Sequence, residues 1–278
     1  MSTPSSKGYN APSDEMLEAT RQQTNISLSP ELFEQLYLSP KNKVKGELRQ
    51  TVGNPTPIAL GGFLLCTTPV SMGLLGWQDA GGLGAGANVG AFFFLGGLML
   101  LLGGIGEWIL GNTFPSTVFC LFGGFWFTFG ATIVPSFNAY GLYSTTGSAA
   151  DGLDQSQFYS TFSFFLIAMA ILCFVFLIAS IRTNIIFFII FLLLVPCFGC
   201  LSASFFAVAS GHSSAAITLQ HAGAGLLLAV SFLGWYIFMA LVLLSVDFPV
   251  VLPLGDLSTV IKGRTPVESH SRSAQNKE

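Results

Sequence analysis

Few side chains in this sequence could do chemistry, and they lie near the ends of long apolar stretches. The ionisable and amide groups at such positions are Glu107, Asn112, His212, His221 and Asp247. They do not form a carboxylate pair, a metal-ligand cluster or a phosphate-binding glycine loop. We therefore predict no catalytic residue, no metal site, no cofactor and no enzymatic activity.

Glu107 lies in the last turn of its apolar stretch. An ionisable side chain at membrane depth indicates a functional role by default, because burying its charge is costly. The alternative is a carboxylate at the membrane interface that contacts water or caps the following helix. Both interpretations remain open from the sequence.

Three asparagines mark the starts of the first, third and fifth apolar stretches: Asn54, Asn112 and Asn184. Pro55 follows Asn54, as is typical of a first helical position. Helix N-termini present free N–H groups and a partial positive charge, which attract anions. Because the apolar stretches contain no Lys or Arg, such groups would have to attract any anion that passes. The alternative is that these residues are ordinary helix caps.

The elements that must position these residues are membrane-spanning helices. Hydrophobic residues make up 51% of the 278-residue chain and charged residues only 9%, whereas soluble domains carry about a quarter charged residues. Stretches of about 20 apolar residues are long enough to cross a bilayer. We predict six spans, at residues 57–77, 88–109, 114–134, 158–181, 185–209 and 218–246. The composition predicts a lipid bilayer as partner and no nucleic acid.

The positive charges predict the topology. Of the 11 Lys and Arg residues, six precede the first span, four follow the last, and only Arg182 lies between spans. Cytoplasmic segments are enriched in Lys and Arg, so both termini are predicted to be cytoplasmic. We expect a mostly disordered tail over 1–50, a six-helix domain over 51–247 and a second tail over 248–278. Residues Pro30–Leu38 have the spacing of a short interfacial helix or of a transient turn.

Three motifs resemble a known family. NPTPIAL begins at Asn54, EWILGNTF begins at Glu107 and FGGFW begins at Phe122. They are similar to N-P-A-P-L-G-L, E-x-x-x-G-N-T-F and [YF]-G-[SG]-F-W of the acetate transporter family, which includes bacterial succinate–acetate permeases, fungal acetate permeases and ammonia-export proteins. An A-G at Ala222 and a W-Y at Trp235 follow in the family's order. The matched site positions are Asn54, Pro55, Pro57, Glu107, Asn112, Thr113, Phe122 and Trp126.

The resemblance implies a ring of protomers, a hexamer, with a permeation path through each protomer. It implies that the path narrows at three apolar side chains, which here are Phe63, Phe122 and Leu194. The family often has Tyr at the second of these, Gln in the second helix and Asn after the W-Y. This chain has Phe122, Leu100 and Ile237 there. A path without these polar groups favours a neutral acid or a different solute.

The resulting prediction is a plasma-membrane permease or channel for small monocarboxylates, with acetate as the leading candidate substrate. Asn54 and Asn112 would lie at its inner side, and Glu107 would orient Asn54 or the GNTF turn, or relay protons. Two alternatives stay open: an exporter of ammonia or ammonium, and a membrane sensor or scaffold that transports nothing.

Overall fold

The computed structural model describes residues 52–81 and 83–257. These residues form six helices, each long and apolar enough to cross a membrane: α1 (Thr56–Leu74), α2 (Ala85–Ile109), α3 (Thr113–Ile133), α4 (Ser156–Ser180), α5 (Ile185–Ala209) and α6 (Ser213–Ser245). The prediction of an all-helical protein with six spans is confirmed. The boundary that differs most from its predicted position is the start of α6, at Ser213 and not at residue 218. The first turn of this helix consists of small and polar residues, which are helical but do not raise the hydropathy of the span. The predicted N-terminal tail and the helix at Pro30–Leu38 lie outside the described residues.

The link between α2 and α3 follows from one glycine. Gly111 has a φ of +78°, a conformation that costs glycine little because it has no Cβ. Its N–H donates to the Trp108 carbonyl at 3.0 Å, and the Asn112 N–H donates to the Glu107 carbonyl at 2.8 Å. This pair of bonds is the Schellman C-cap. It reverses the chain within three residues and brings Asn112 back beside the last turn of α2.

The helices pack in the spatial order α4, α5, α6, α1, α2, α3. The two helices at the ends of this series, α3 and α4, meet through aromatic rings. Phe125 stacks on Phe165 with ring centroids 6.0 Å apart, and Phe129 approaches Phe162 at 6.1 Å. Large side chains hold these two helices apart, and this spacing leaves room inside the bundle.

Glycines let α2 approach its neighbours closely. A Cβ on Gly104 would lie 2.5 Å from Cys120 Sγ, and one on Gly103 would lie 2.6 Å from Ala59 Cβ. Residues Phe92–Gly97 form a π-helical turn within α2. Gly96 in this turn packs closely against the Trp126 side chain. Gly96, Gly103 and Gly104 thus serve close packing within the protomer, which small residues allow between helices in lipid.

The segment after α6 folds back against the link between α4 and α5. The Ile185 N–H donates to the Gly255 carbonyl at 2.8 Å, and the Leu257 N–H donates to the Thr183 carbonyl at 2.9 Å. Leu254, which precedes Gly255 in this segment, is also buried. The first residues of the predicted C-terminal tail therefore cover the end of the bundle where α5 begins.

Candidate functional site

A cavity of about 350 Å³ lies inside the helix bundle, walled by α1, α3, α4, α5 and α6. On the odd-numbered helices its wall runs from mid-helix toward the C-terminal end, reaching Leu74 on α1 and Val208 on α5. The cavity therefore occupies the half of the bundle that the positive charges predict to be outer. Its wall is mostly aromatic and aliphatic, as is usual for a small-molecule site.

The three side chains predicted to narrow the path all line this cavity, at its end nearest the N-termini of the odd-numbered helices. Phe63, Phe122 and Leu194 are each the first lining residue on their own helix, counted from its N-terminus. The Phe63 and Phe122 rings meet edge to face at 6.2 Å. Phe122 is 4% exposed and Leu194 is 2% exposed. We call these three residues the floor of the cavity; their role in permeation stays a prediction.

Packed aromatic rings continue beyond the floor, toward the N-terminal ends of the odd helices. Phe122 contacts Phe176 at 6.4 Å, Phe176 contacts Phe191 at 5.5 Å, and Phe191 contacts Phe114 at 6.3 Å. The cavity does not extend among these rings, so this conformation is closed on that side. The sequence showed no pattern that distinguished Phe176 or Phe191 from other apolar residues of their spans.

A polar cluster of Thr56, Glu107 and Asn112 lies at the same closed end of the bundle. Glu107 is fully buried. Thr56 Oγ1 donates to its Oε1, and Asn112 Nδ2 donates to its Oε2 at 2.6 Å. These bonds join the ends of α1, α2 and α3. Both oxygens of the buried carboxyl group therefore have hydrogen-bond partners, as buried polar groups require.

Two of the alternatives that the sequence left open do not hold for this cluster. Glu107 is not a carboxylate in contact with water, because the starts of α1 and α3 cover it. The Asn112 side chain does not cap α3, because the Schellman turn directs its amide toward Glu107. Thr56 was missed as a member of the cluster. The available signal was its departure from the family motif, which has Ala at this position.

The first turn of α1 has the predicted arrangement. Asn54 Oδ1 accepts from the Thr56 N–H at 2.9 Å, so this side chain does act as a cap. Pro55 is buried against α2, where a Cβ on Gly106 would lie 2.6 Å from it. Pro57 is half-buried in the same turn, and Thr113 is exposed at the start of α3.

The remaining predicted positions divide between cavity and core. Trp126 lines the cavity, one turn along α3 from the floor. Leu100 and Ile237 stand where the family often has polar groups, and both are buried away from the cavity lining. Cys197 lines the cavity wall and donates to the Gly223 carbonyl at 3.3 Å.

In the part of the chain that the structure describes, His, Cys, Asp and Glu form no group that could hold a metal.

Residues 38–259 match the model of the GPR1/FUN34/yaaH family. The fold is similar to that of the bacterial acetate channel SatP, with a TM-score of 0.54 and 22% identity. That similarity covers 73% of this chain and 99% of the channel.

Three curated relatives come from fungi. The chain is 43% identical to Protein alcS of Aspergillus fumigatus, over 89% of this chain and 92% of that protein. It is 33% identical to Ammonia transport outward protein 2 of Saccharomyces cerevisiae, over 66% and 59% of the two chains. It is 28% identical to Acetate transporter protein patA of Aspergillus clavatus, over 74% and 79%. Because the family model spans most of the sequence and the alcS protein aligns over nearly its whole length, this chain belongs to the GPR1/FUN34/yaaH family.

Proposed function

We propose that this protein is a membrane permease or channel for small monocarboxylates, acetate first, with one path through each protomer. The observation that carries the proposal is the cavity between α1, α3, α4, α5 and α6, which ends at the floor of Phe63, Phe122 and Leu194. The relatives named for acetate transport and the fold of the acetate channel support it. Permeation requires no covalent chemistry, so no enzymatic activity belongs to the proposal.

The chemistry of the cavity suits a small acid in its neutral form. Among the described residues, no Lys or Arg lines the wall. An ionised carboxylate pays a large desolvation cost in such surroundings unless it is hydrogen-bonded, whereas a protonated acid pays much less. An apolar constriction can also close by excluding water. A short acid with a small apolar end can pass such a floor when the rings move apart.

The other parts of the proposal concern the whole protein in its membrane. We propose a plasma-membrane location with both termini in the cytoplasm, and a hexamer of protomers. In this orientation the cavity faces outward, and the polar cluster with Asn54 stands at the inner end. The Asn112 amide is bonded to Glu107, so Asn54 is the better candidate to meet the solute there. Through its bonds to Thr56 and Asn112, Glu107 orients the start of α1 and the GNTF turn.

The test is uptake by liposomes that contain the purified protein, with protein-free liposomes as the control for acid that crosses the lipid. Labelled acetate, lactate, succinate and ammonium are compared at matched concentrations. We expect protein-dependent uptake of acetate well above that of succinate. Protein-dependent flux of ammonium alone would replace the proposal with ammonia export. Absence of flux for every solute would favour the sensor or scaffold.

A further inference from the structure

Two hydrogen-bond donors in the cavity wall are buried without a protein partner. Thr67 is 0% exposed and Trp126 is 4% exposed, and both line the cavity. Within residues 52–81 and 83–257, neither Thr67 Oγ1 nor Trp126 Nε1 has a hydrogen-bond partner. Buried polar side chains are paired in nearly all native structures, so an exception calls for an explanation.

The positions of the two donors relate them to the floor. Thr67 follows Phe63 by four residues on α1, and Trp126 follows Phe122 by four residues on α3. Residues four apart lie on the same face of a helix, about one turn from each other. Each donor therefore stands one turn from a floor ring, on the side where the cavity lies.

A nearby pair of the same residue types shows the usual arrangement. Trp235 Nε1 donates to Thr68 Oγ1 at 3.0 Å, and Thr68 Oγ1 is 2.6 Å from Ser231 Oγ. This pair joins α1 to α6 and does not line the cavity. The chain thus satisfies one tryptophan and one threonine internally, whereas Thr67 and Trp126, which line the cavity, have no partner among the described residues.

We propose that Thr67 and Trp126 form a binding site for the carboxyl group of the transported acid, next to the floor. The inference rests on the proposed function and adds the residues that select the substrate. An indole N–H can only donate, whereas a hydroxyl can donate and accept. A carboxylate accepts from both groups. A protonated acid accepts from Trp126 through its carbonyl oxygen and bonds Thr67 through its hydroxyl.

The same chemistry discriminates against ammonium. Ammonium has only donors and leaves the indole N–H of Trp126 without an acceptor. The site therefore holds small carboxylic acids with the carboxyl group between α1 and α3. Their apolar end then lies against the aromatic wall.

The first test is uptake kinetics in liposomes. Trp126→Phe keeps a ring in place but removes the donor, and Thr67→Val keeps the shape but removes the hydroxyl. Each change should raise the half-saturation concentration for acetate about tenfold, the effect of one hydrogen bond to a charged or strongly polar group. The matched controls are Trp235→Phe and Thr68→Val, which remove the same groups from the internally bonded pair and should leave half-saturation unchanged. Wild-type half-saturation in both Trp126→Phe and Thr67→Val would overturn the site.

The second test does not depend on transport. In protein labelled with ¹⁵N at the tryptophan indoles, the Trp126 signal is assigned by its loss in Trp126→Phe. Acetate should shift this signal in saturable fashion, and ammonium chloride should not. An unmoved signal would overturn the site even if acetate crosses the membrane. If acetate shifts the signal but the protein does not transport acetate, the binding site is supported and the proposed transport function is contradicted.

Discussion

At the residue scale, the least expected contact is between Thr56 and Glu107. A buried carboxyl group is stable only when hydrogen bonds replace its hydration, and here the partners come from two other helix ends. The threonine that departs from the family motif is one of them. Its hydroxyl therefore has a physical role that the corresponding alanine of the motif could not perform.

We expect Thr56→Val to destabilise the fold by about 1–3 kcal/mol, the cost of leaving a buried hydrogen-bonding group without its partner. The measurement is thermal unfolding in detergent. Thr117→Val is the matched control, because Thr117 is exposed and its hydroxyl bonds only to the Thr113 carbonyl of its own helix. Equal unfolding midpoints in the two variants would contradict a stabilising role for Thr56.

Asn54 offers a second residue-scale prediction. Asn54→Asp keeps an oxygen for the Thr56 N–H, so the helix cap should survive. If Asn54 meets acetate in its ionised form at the inner end of the path, outside the apolar cavity, the added negative charge repels it and acetate flux should fall sharply. The measurement is uptake at equal surface expression. Unchanged uptake would leave Asn54 as a cap alone.

At the scale of helices, the floor consists of mid-helix side chains of α1, α3 and α5 that line one end of the cavity. Two interpretations of Phe122 and Leu194 predict opposite outcomes. If they are ordinary core residues, truncation to Ala lowers the free energy of unfolding by about 2–5 kcal/mol and does not change transport selectivity. If they narrow the permeation path, truncation widens the path and should increase uptake.

We expect Phe122→Ala and Leu194→Ala to raise uptake or to admit a larger acid such as lactate. Phe119→Ala is the matched control, since Phe119 lies on the same helix as Phe122, is also buried, and does not line the cavity. It should lose stability without gaining lactate uptake. If the Phe122 and Leu194 variants behave like this control, the floor is ordinary core.

The packing of α2 against α3 gives a further prediction at this scale. A Cβ on Gly104 would lie 2.5 Å from Cys120 Sγ and 3.0 Å from the Cys120 backbone nitrogen. Because a backbone atom is involved, Gly104→Ala should force the two helices apart and lower the yield of folded protein. Gly124→Ala is the control, since nothing lies within 4 Å of its Cβ position. Equal yields of the two variants in detergent would show that the contact relaxes at little cost.

At the scale of the whole molecule, large apolar side chains cover the outside of the bundle, among them Phe94, Trp108, Phe164 and Phe232. Such a surface needs lipid or another protomer against it. The glycines of α2 at 96, 97, 103, 104 and 106 do not identify that second protomer, because they pack inside their own bundle. The expectation of a hexamer therefore rests on the resemblance.

We expect the purified protein in gentle detergent to have six times the chain mass of 29.6 kDa, after detergent is subtracted. Light scattering or native mass spectrometry measures this directly. A monomer that still transports acetate in liposomes would contradict the need for a ring.

The six spans, the helix starts at Asn54 and Asn184, and the motif carrying Glu107 could be predicted from the sequence. Span length and hydropathy are local properties, because each helix satisfies its own backbone hydrogen bonds in lipid. Helix starts and ends depend on a few neighbouring residues, such as the Asn before Pro55 and the Gly at 111. The membership of Phe63, Phe122 and Leu194 in one path came from the resemblance and not from any local pattern.

Only the tertiary structure decided which side chains meet. The rotation of each helix about its axis places Trp126 and Thr67 in the lining of the cavity and leaves Leu100 in the core, although all three lie in apolar runs. The approach of α1 to α2 places Thr56 on Glu107, two residues that are 51 positions apart in sequence. Helix rotation and approach depend on packing among all six helices at once, and this packing is not determined by the hydropathy of any single span.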